Sequence, residues 1–104
     1  MRGGMSTERR VHKRVPFVNE VEIVGVGVRR CSDLSIGGIY LDTTSFFPEG
    51  TLLQLRFKLQ TSDERPIEVK AKALYGVPGL GIGVGFIDLS PEDLEKIRTF
   101  VDQR

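Results

Sequence analysis

The chain is poorest in the groups that catalysis and metal binding draw on. Its 104 residues include one cysteine, Cys31, and one histidine, His12. A single thiol forms no internal disulfide and offers no second sulfur to a metal, so a reducing, cytoplasmic setting is the expectation. His12 sits among arginine and lysine with no carboxylate neighbour to orient it as a general base. Cys31 and Ser35 lack a partner that would activate them as nucleophiles. No His, Cys or paired carboxylates fall at ligand spacing, so the sequence assigns no metal site, no cofactor and no catalytic residue. No apolar run approaches the ~18 residues that span a bilayer. No apolar segment follows the first basic residues as a secretory signal requires. A P-loop is missing, and Gly81-Ile82-Gly83-Val84-Gly85 lies in strand alternation and opens no helix, so it is not a dinucleotide fingerprint. Internal repeats and low-complexity stretches are also lacking. These absences argue against an enzyme.

What is present is one modest domain with an uneven distribution of charge. A chain of this length buries roughly two thirds of its unfolded surface, enough for one core. Net charge is only +1, yet residues 1–14 hold Arg2, Arg9, Arg10, Lys13 and Arg14 against Glu8 alone. The body beyond them is therefore net acidic. A basic arm on an acidic body makes a local anion site and is a poor match to long nucleic acid. Taken by itself, such a cluster reads first as a solvated tail. Residues 1–7 are read as a leader outside the fold, residues 8–15 as the arm, 16–89 as a barrel and 90–102 as a helix.

From Phe17 onward the pattern alternates. Val21 and Ile23 oppose Glu20 and Glu22; Val26 to Leu34 can return as a second strand, and Ile39 to Asp42 as a short third. Leu53, Leu55, Phe57 and Leu59 alternate with Gln54, Arg56 and Lys58. Ile67, Val69, Ala71 and Ala73 alternate with Glu68, Lys70 and Lys72, and Leu80, Ile82, Val84 and Phe86 with Gly81, Gly83 and Gly85. Period two over such lengths specifies antiparallel strands with one face in a core. The glycine series means close packing over that strand or room for a ligand, with packing favoured. Ser90 is suited to an N-cap, Pro91 to the first helical position, and Glu92 and Asp93 to the positive end of the helix dipole. Leu94, Ile97, Phe100 and Val101 then recur at helical spacing, so that stripe must pack on a barrel end. The fold expected is all-β, a small barrel of about six antiparallel strands with a C-terminal helix.

Two constellations carry the binding chemistry. Arg10-Val11-His12-Lys13-Arg14, preceded by Arg9, spaces two planar, permanently charged forks four residues apart. Guanidinium suits both phosphate and the O6/N7 edge of guanine. Asp33-Leu34-Ser35-Ile36-Gly37-Gly38 sets a carboxylate and a hydroxyl two apart, on one face if the strand is extended, with glycines permitting a sharp turn or a close ligand. Asp33 can accept from guanine N1–H and N2–H; equally, an Asx or Ser turn at a strand end explains the pattern.

In combination, Arg-x-x-x-Arg followed about twenty residues later by Asp-x-Ser-x-x-Gly resembles the signature of the PilZ domain family. The likeness extends to Leu34-Ser35-Ile36-Gly37-Gly38-Ile39, Gly83-Val84-Gly85-Phe86 and the helix opening at Ser90-Pro91. It implies a six-stranded antiparallel barrel with a flexible arm, and binding of the bacterial second messenger cyclic di-GMP. By that resemblance Arg10 and Arg14 clamp phosphate and guanine, Asp33 and Ser35 meet guanine from the barrel, and Gly38 allows close approach. Arg9 implies a stacked, intercalated pair of ligands. The signal would pass to an unidentified downstream protein, or to the remainder of a longer chain. Two alternatives stand beside this one: a nucleic-acid-binding barrel using Phe17, Phe46 or Phe47 for stacking, and a PilZ-like interaction domain without ligand.

Overall fold

The computed structural model describes residues 12–104, in which the alternating segments form one closed antiparallel barrel. The strands are β1 (Val15–Ile23), β2 (Gly27–Leu34), β3 (Gly38–Asp42), β4 (Leu52–Phe57), β5 (Ile67–Val77) and β6 (Gly81–Ile87), followed by helix α1 (Pro91–Asp102). Around the barrel they run β1-β2-β3-β6-β5-β4. The ring shuts where β4 pairs with β1 through Val21↔Phe57, Glu22↔Arg56 and Ile23↔Leu55, which leaves no open edge.

Alternation places the core as expected. Val21, Ile23, Cys31, Leu34, Leu41, Leu55 and Ala71 point inward and are fully buried. Their outward neighbours pair across strands. Glu22, Arg56 and Glu68 share one lateral row, and Arg56 lies 3.6 Å from Glu22 and 3.0 Å from Glu68. Such exposed pairs stabilise by ~1 kcal/mol at most and serve mainly to fix register.

Helix α1 stoppers one end of the barrel. Ser90 accepts a hydrogen bond from the Asp93 amide at 3.0 Å, the N-cap geometry expected of it. Ile97, Phe100 and Val101 are buried, and the Phe100 ring meets Phe17 edge-on at 5.3 Å. Phe17 in turn contacts Phe57 at 6.4 Å, and Phe57 stacks on Phe86 at 6.1 Å. The aromatic residues thus form a continuous seam from helix to barrel interior. Phe17 belongs to this core and Phe47 packs against it, so of the three phenylalanines available for base stacking only Phe46 is free. Of these three, a stacking surface for nucleic acid would rest on Phe46 alone.

Two local departures from simple alternation have physical causes. Leu80 is 65% exposed, because β6 begins at Gly81 and Leu80 belongs to the preceding turn, where its amide bonds to the Val77 carbonyl. In β5 the register slips between Ala73 and Tyr75 against β6. This bulge turns Leu74 and Tyr75, consecutive residues, both outward. They lie over β6, with Leu74 above Gly85 and Tyr75 above Gly83, so the glycines accommodate side chains from the neighbouring strand. Among the described residues no helix is long and apolar enough to cross a membrane.

Cys31 is sealed in the core, its Sγ 3.4 Å from the Phe17 carbonyl and 3.3 Å from that of Asn19. Burial pushes its thiol up to about 11, with the negative charges of Asp42 and Asp33 adding to the shift. A thiol reagent at pH 8 should therefore leave the folded protein unlabelled and react fully in denaturant, as mass spectrometry would record; rapid native labelling would contradict this environment. Because the folded thiol titrates above its ordinary value, its stabilising contribution is intact at neutral pH and is lost only as pH rises through the alkaline range. Truncating the stopper with Ile97→Ala should cost about 2–5 kcal/mol in urea denaturation.

Candidate ligand-binding site

The arm reaches the barrel beside the end of β2. Val15 pairs with Leu34 and Pro16 with Asp33, and register shifts between Pro16 and Asn19 on one strand and between Cys31 and Asp33 on the other re-aim the side chains there. Arg14 consequently meets Asp33, Nη1 to Oδ1, at 2.7 Å. Both side chains stay open to solvent, 51% and 34% exposed. Arg14 and Asp33 are 19 residues apart in sequence, one from each constellation, and the fold brings them into contact.

Neighbouring arm residues are also anchored. Lys13 Nζ donates to the Arg104 carbonyl at 2.7 Å, tying the root of the arm to the segment after α1. The Arg104 guanidinium lies 4.0 Å over the Phe100 ring. The His12 imidazole rests against Gly37, where a β-carbon would come within 2.7 Å of its Cδ2. These contacts by Lys13 and His12 carry no sequence signature; they follow from where closure of the barrel sets the arm. Arg9 and Arg10 lie outside the described residues.

The turn after β2 is held largely by its own polar groups. Ser35 N–H donates to the Gly38 carbonyl at 2.9 Å, and Ser35 Oγ accepts from the amides of Gly37 at 3.1 Å and Gly38 at 3.2 Å. The Phe86 amide donates to the Gly37 carbonyl at 2.9 Å, fastening the turn to β6. Ser35 is one residue past the end of β2 and only 4% exposed. Ser35 and Gly38 face each other as the last pair before the tip at Ile36-Gly37, so the Ser35 hydroxyl is engaged by the turn amides, while the Asp33 carboxylate stays open to solvent. Gly38 faces the Val84 carbonyl so closely that a β-carbon has no room. Glycine is thus needed there by the β3–β6 pairing, whatever a ligand requires.

A second feature is set by register alone. Asp33 pairs with Tyr40, Tyr40 with Gly83, and Gly83 with Tyr75, one lateral row over β2, β3, β6 and β5. Tyr40 is half-buried, and burial, with Tyr75, Asp42 and Asp33 nearby, raises its phenol above the ordinary value. A hollow of about 490 Å³ elsewhere, between α1 and the β4–β5 connection, presents Asp63, Glu92 and Glu95 beside Lys96 and suits an anion poorly. Among the described residues no group of three His, Cys, Asp or Glu side chains converges as metal ligands would.

Comparison with known proteins gives a consistent picture. The PilZ domain model matches residues 8–103. No curated protein matches the sequence. Among solved structures, the Bacillus subtilis inhibitor of motility MotI/DgrA superposes with a TM-score of 0.80 at 21% identity, over 92% of this chain and 50% of that one. YcgR from Escherichia coli, solved in complex with c-di-GMP, superposes with a TM-score of 0.72 at 15% identity, over 91% and 45%. At these identities the likeness is one of fold. The chain spans about half the length of the solved proteins it matches.

Because the Arg14–Asp33 pair is exposed, it contributes ~1 kcal/mol or less to folding. Arg14→Ala should therefore leave the urea midpoint nearly unchanged. A loss well above that figure would mean that Arg14 is a structural strut.

Proposed function

We propose, since this chain belongs to the PilZ domain family, that it is a receptor domain for cyclic di-GMP, bound between the arm and the outer barrel surface at Asp33. The observation that carries this reading is the 2.7 Å approach of Arg14 to Asp33. A cation suited to phosphate and guanine lies beside a carboxylate suited to the guanine Watson–Crick edge, at a position both leave open to solvent. The match of the family model and the fold shared with YcgR, a protein solved with c-di-GMP, support it.

The chemistry divides among the residues as follows. A cyclic dinucleotide brings two negative phosphates and two flat bases. Arg14, with Arg10 from the arm, neutralises phosphate and forks onto the O6/N7 edge of a guanine. Asp33 accepts from guanine N1–H and N2–H, an arrangement that an adenine lacks. In the free protein the same two groups pair with each other, and an exposed ion pair exchanges partners at little cost. Ser35 Oγ already accepts from two amides, which leaves its hydroxyl hydrogen as the group available to a ligand. Its main contribution is to hold the turn in shape, and Gly38 seats that turn against β6. Arg9 supplies a further cation for a second, intercalated ligand. Binding would draw the arm onto the barrel and alter the surface offered to a downstream protein; the domain carries no chemistry of its own.

Isothermal titration with cyclic di-GMP tests this. Wild-type protein should bind with micromolar or tighter affinity and two ligands per chain. Arg10→Ala, Arg14→Ala and Asp33→Ala should each weaken binding about tenfold or more, in line with the ~1–3 kcal/mol of a bidentate guanine contact. Arg9→Ala should reduce the stoichiometry to one. Absence of heat with the wild-type protein would reject the receptor reading in favour of a ligand-free interaction domain. Strong, salt-sensitive binding of single-stranded nucleic acid would favour the nucleic-acid reading instead.

A further inference from the structure

Strand β6 offers no side chain to the outside of the barrel between Gly81 and Gly85, and what covers it comes from its neighbours. Tyr40 of β3 leans over Gly81, so that a β-carbon there would lie 2.7 Å from both Cε2 and Oη of its ring. The Tyr75 ring of β5 lies over Gly83, and Leu74 over Gly85, at 3.1 Å from the position of a β-carbon. A tyrosine standing on an ordinary strand presents its edge and hydroxyl to water. Laid along a glycine floor it presents a ring face. The two rings are 6.4 Å apart at an interplanar angle of 34°. Tyr75 and Leu74 remain 47% and 48% exposed, and the bulge in β5 is what directs both of them to this side. The platform is continuous with the Arg14–Asp33 pair, because Tyr40 is the direct cross-strand partner of Asp33.

We infer that Tyr40 and Tyr75 form a stacking platform for a guanine base of the bound cyclic dinucleotide, extending the site from Asp33 across β3 and β6 to β5. This rests on the reading that the site takes cyclic di-GMP. The cationic part of the clamp would by itself hold any small phosphate. Flat aromatic surface beside it selects ligands that carry a base, since base–aromatic contact adds affinity without needing a hydrogen-bond pattern. Tyr40 is the nearer group to Asp33, and Tyr75 both extends the surface and fixes the tilt of Tyr40.

The chain supplies a direct optical readout. It contains two tyrosines, Tyr40 and Tyr75, and no tryptophan, so intrinsic emission arises from the platform alone. Cyclic di-GMP titrated into the wild-type protein, with inner-filter correction, should change tyrosine emission in step with the heat of binding. Tyr40→Leu and Tyr75→Leu keep apolar cover over the glycines and remove the ring faces; each should weaken binding about tenfold, the fold-change expected from loss of one base–aromatic stack. Tyr40→Phe and Tyr75→Phe should stay within about twofold of wild type. Far-UV circular dichroism identifies any leucine variant that fails to fold, in which case the emission change and the phenylalanine variants decide. Wild-type binding with unaltered emission, or folded leucine variants that bind as wild type does, would overturn the platform while leaving the receptor reading intact. A wild-type protein that ignores cyclic di-GMP would overturn both.

Discussion

Where β4 returns to β1, from Val21↔Phe57 to Ile23↔Leu55, the sheet becomes a ring, and each lateral row acquires fixed members. A strand in an open sheet can slip by two residues and keep its buried face. In a ring a slip at one seam must be repaid at another, so register is a property of the whole circuit. The site depends on this constraint. Pro16 stands opposite Asp33 because β1 is pinned on both sides, and the arm therefore leaves the barrel within reach of the Asp33 carboxylate. The same circuit sets Tyr40 beside Asp33 and Tyr75 beside Gly83.

The stopper helix acts on the same region from inside. Phe17, three residues after Arg14, is held by Phe100 and Phe57, so the first turn of chain below the arm is rigid. Lys13 reaches the carbonyl of Arg104 just beyond the helix. Arg14 therefore projects from a fixed base, and its partner Asp33 sits on a strand whose inward neighbours, Cys31 and Leu34, have no exposed surface. The exposed ion pair is energetically minor; its location is dictated by core packing.

The strands were legible in the sequence because each buries one face, and period two records that directly. The helix was legible for a different reason: Ser90, Pro91 and the two acids that follow satisfy the orphan amides of a first turn, and Ile97, Phe100 and Val101 mark its buried side. Membership of the candidate site was only half legible. Asp33 and Arg14 carry charge at a telling spacing, but their contact depends on register shifts that no residue type announces. Ser35 illustrates the limit: its spacing from Asp33 suggests a shared face, and the turn that begins there buries it. Leu80 looks like the first apolar residue of β6 and is a turn residue in solvent, because a strand end is set by hydrogen-bond partners and not by apolarity. Tyr40 and Tyr75 gave no signal at all, since sharing a row across four strands is invisible along the chain.

The bare stretch of β6 separates two demands that most proteins must meet with the same residues. Between Gly81 and Gly85 the strand points Ile82 and Val84 inward to hold the barrel and nothing outward. The character of the outer surface is written wholly by β3 and β5, through Tyr40, Leu74 and Tyr75. Those three side chains can be exchanged without altering any inward contact of β6. A descendant of this chain could thus acquire a different outer face by redecorating two flanking strands, with the strand beneath serving as an unchanging floor.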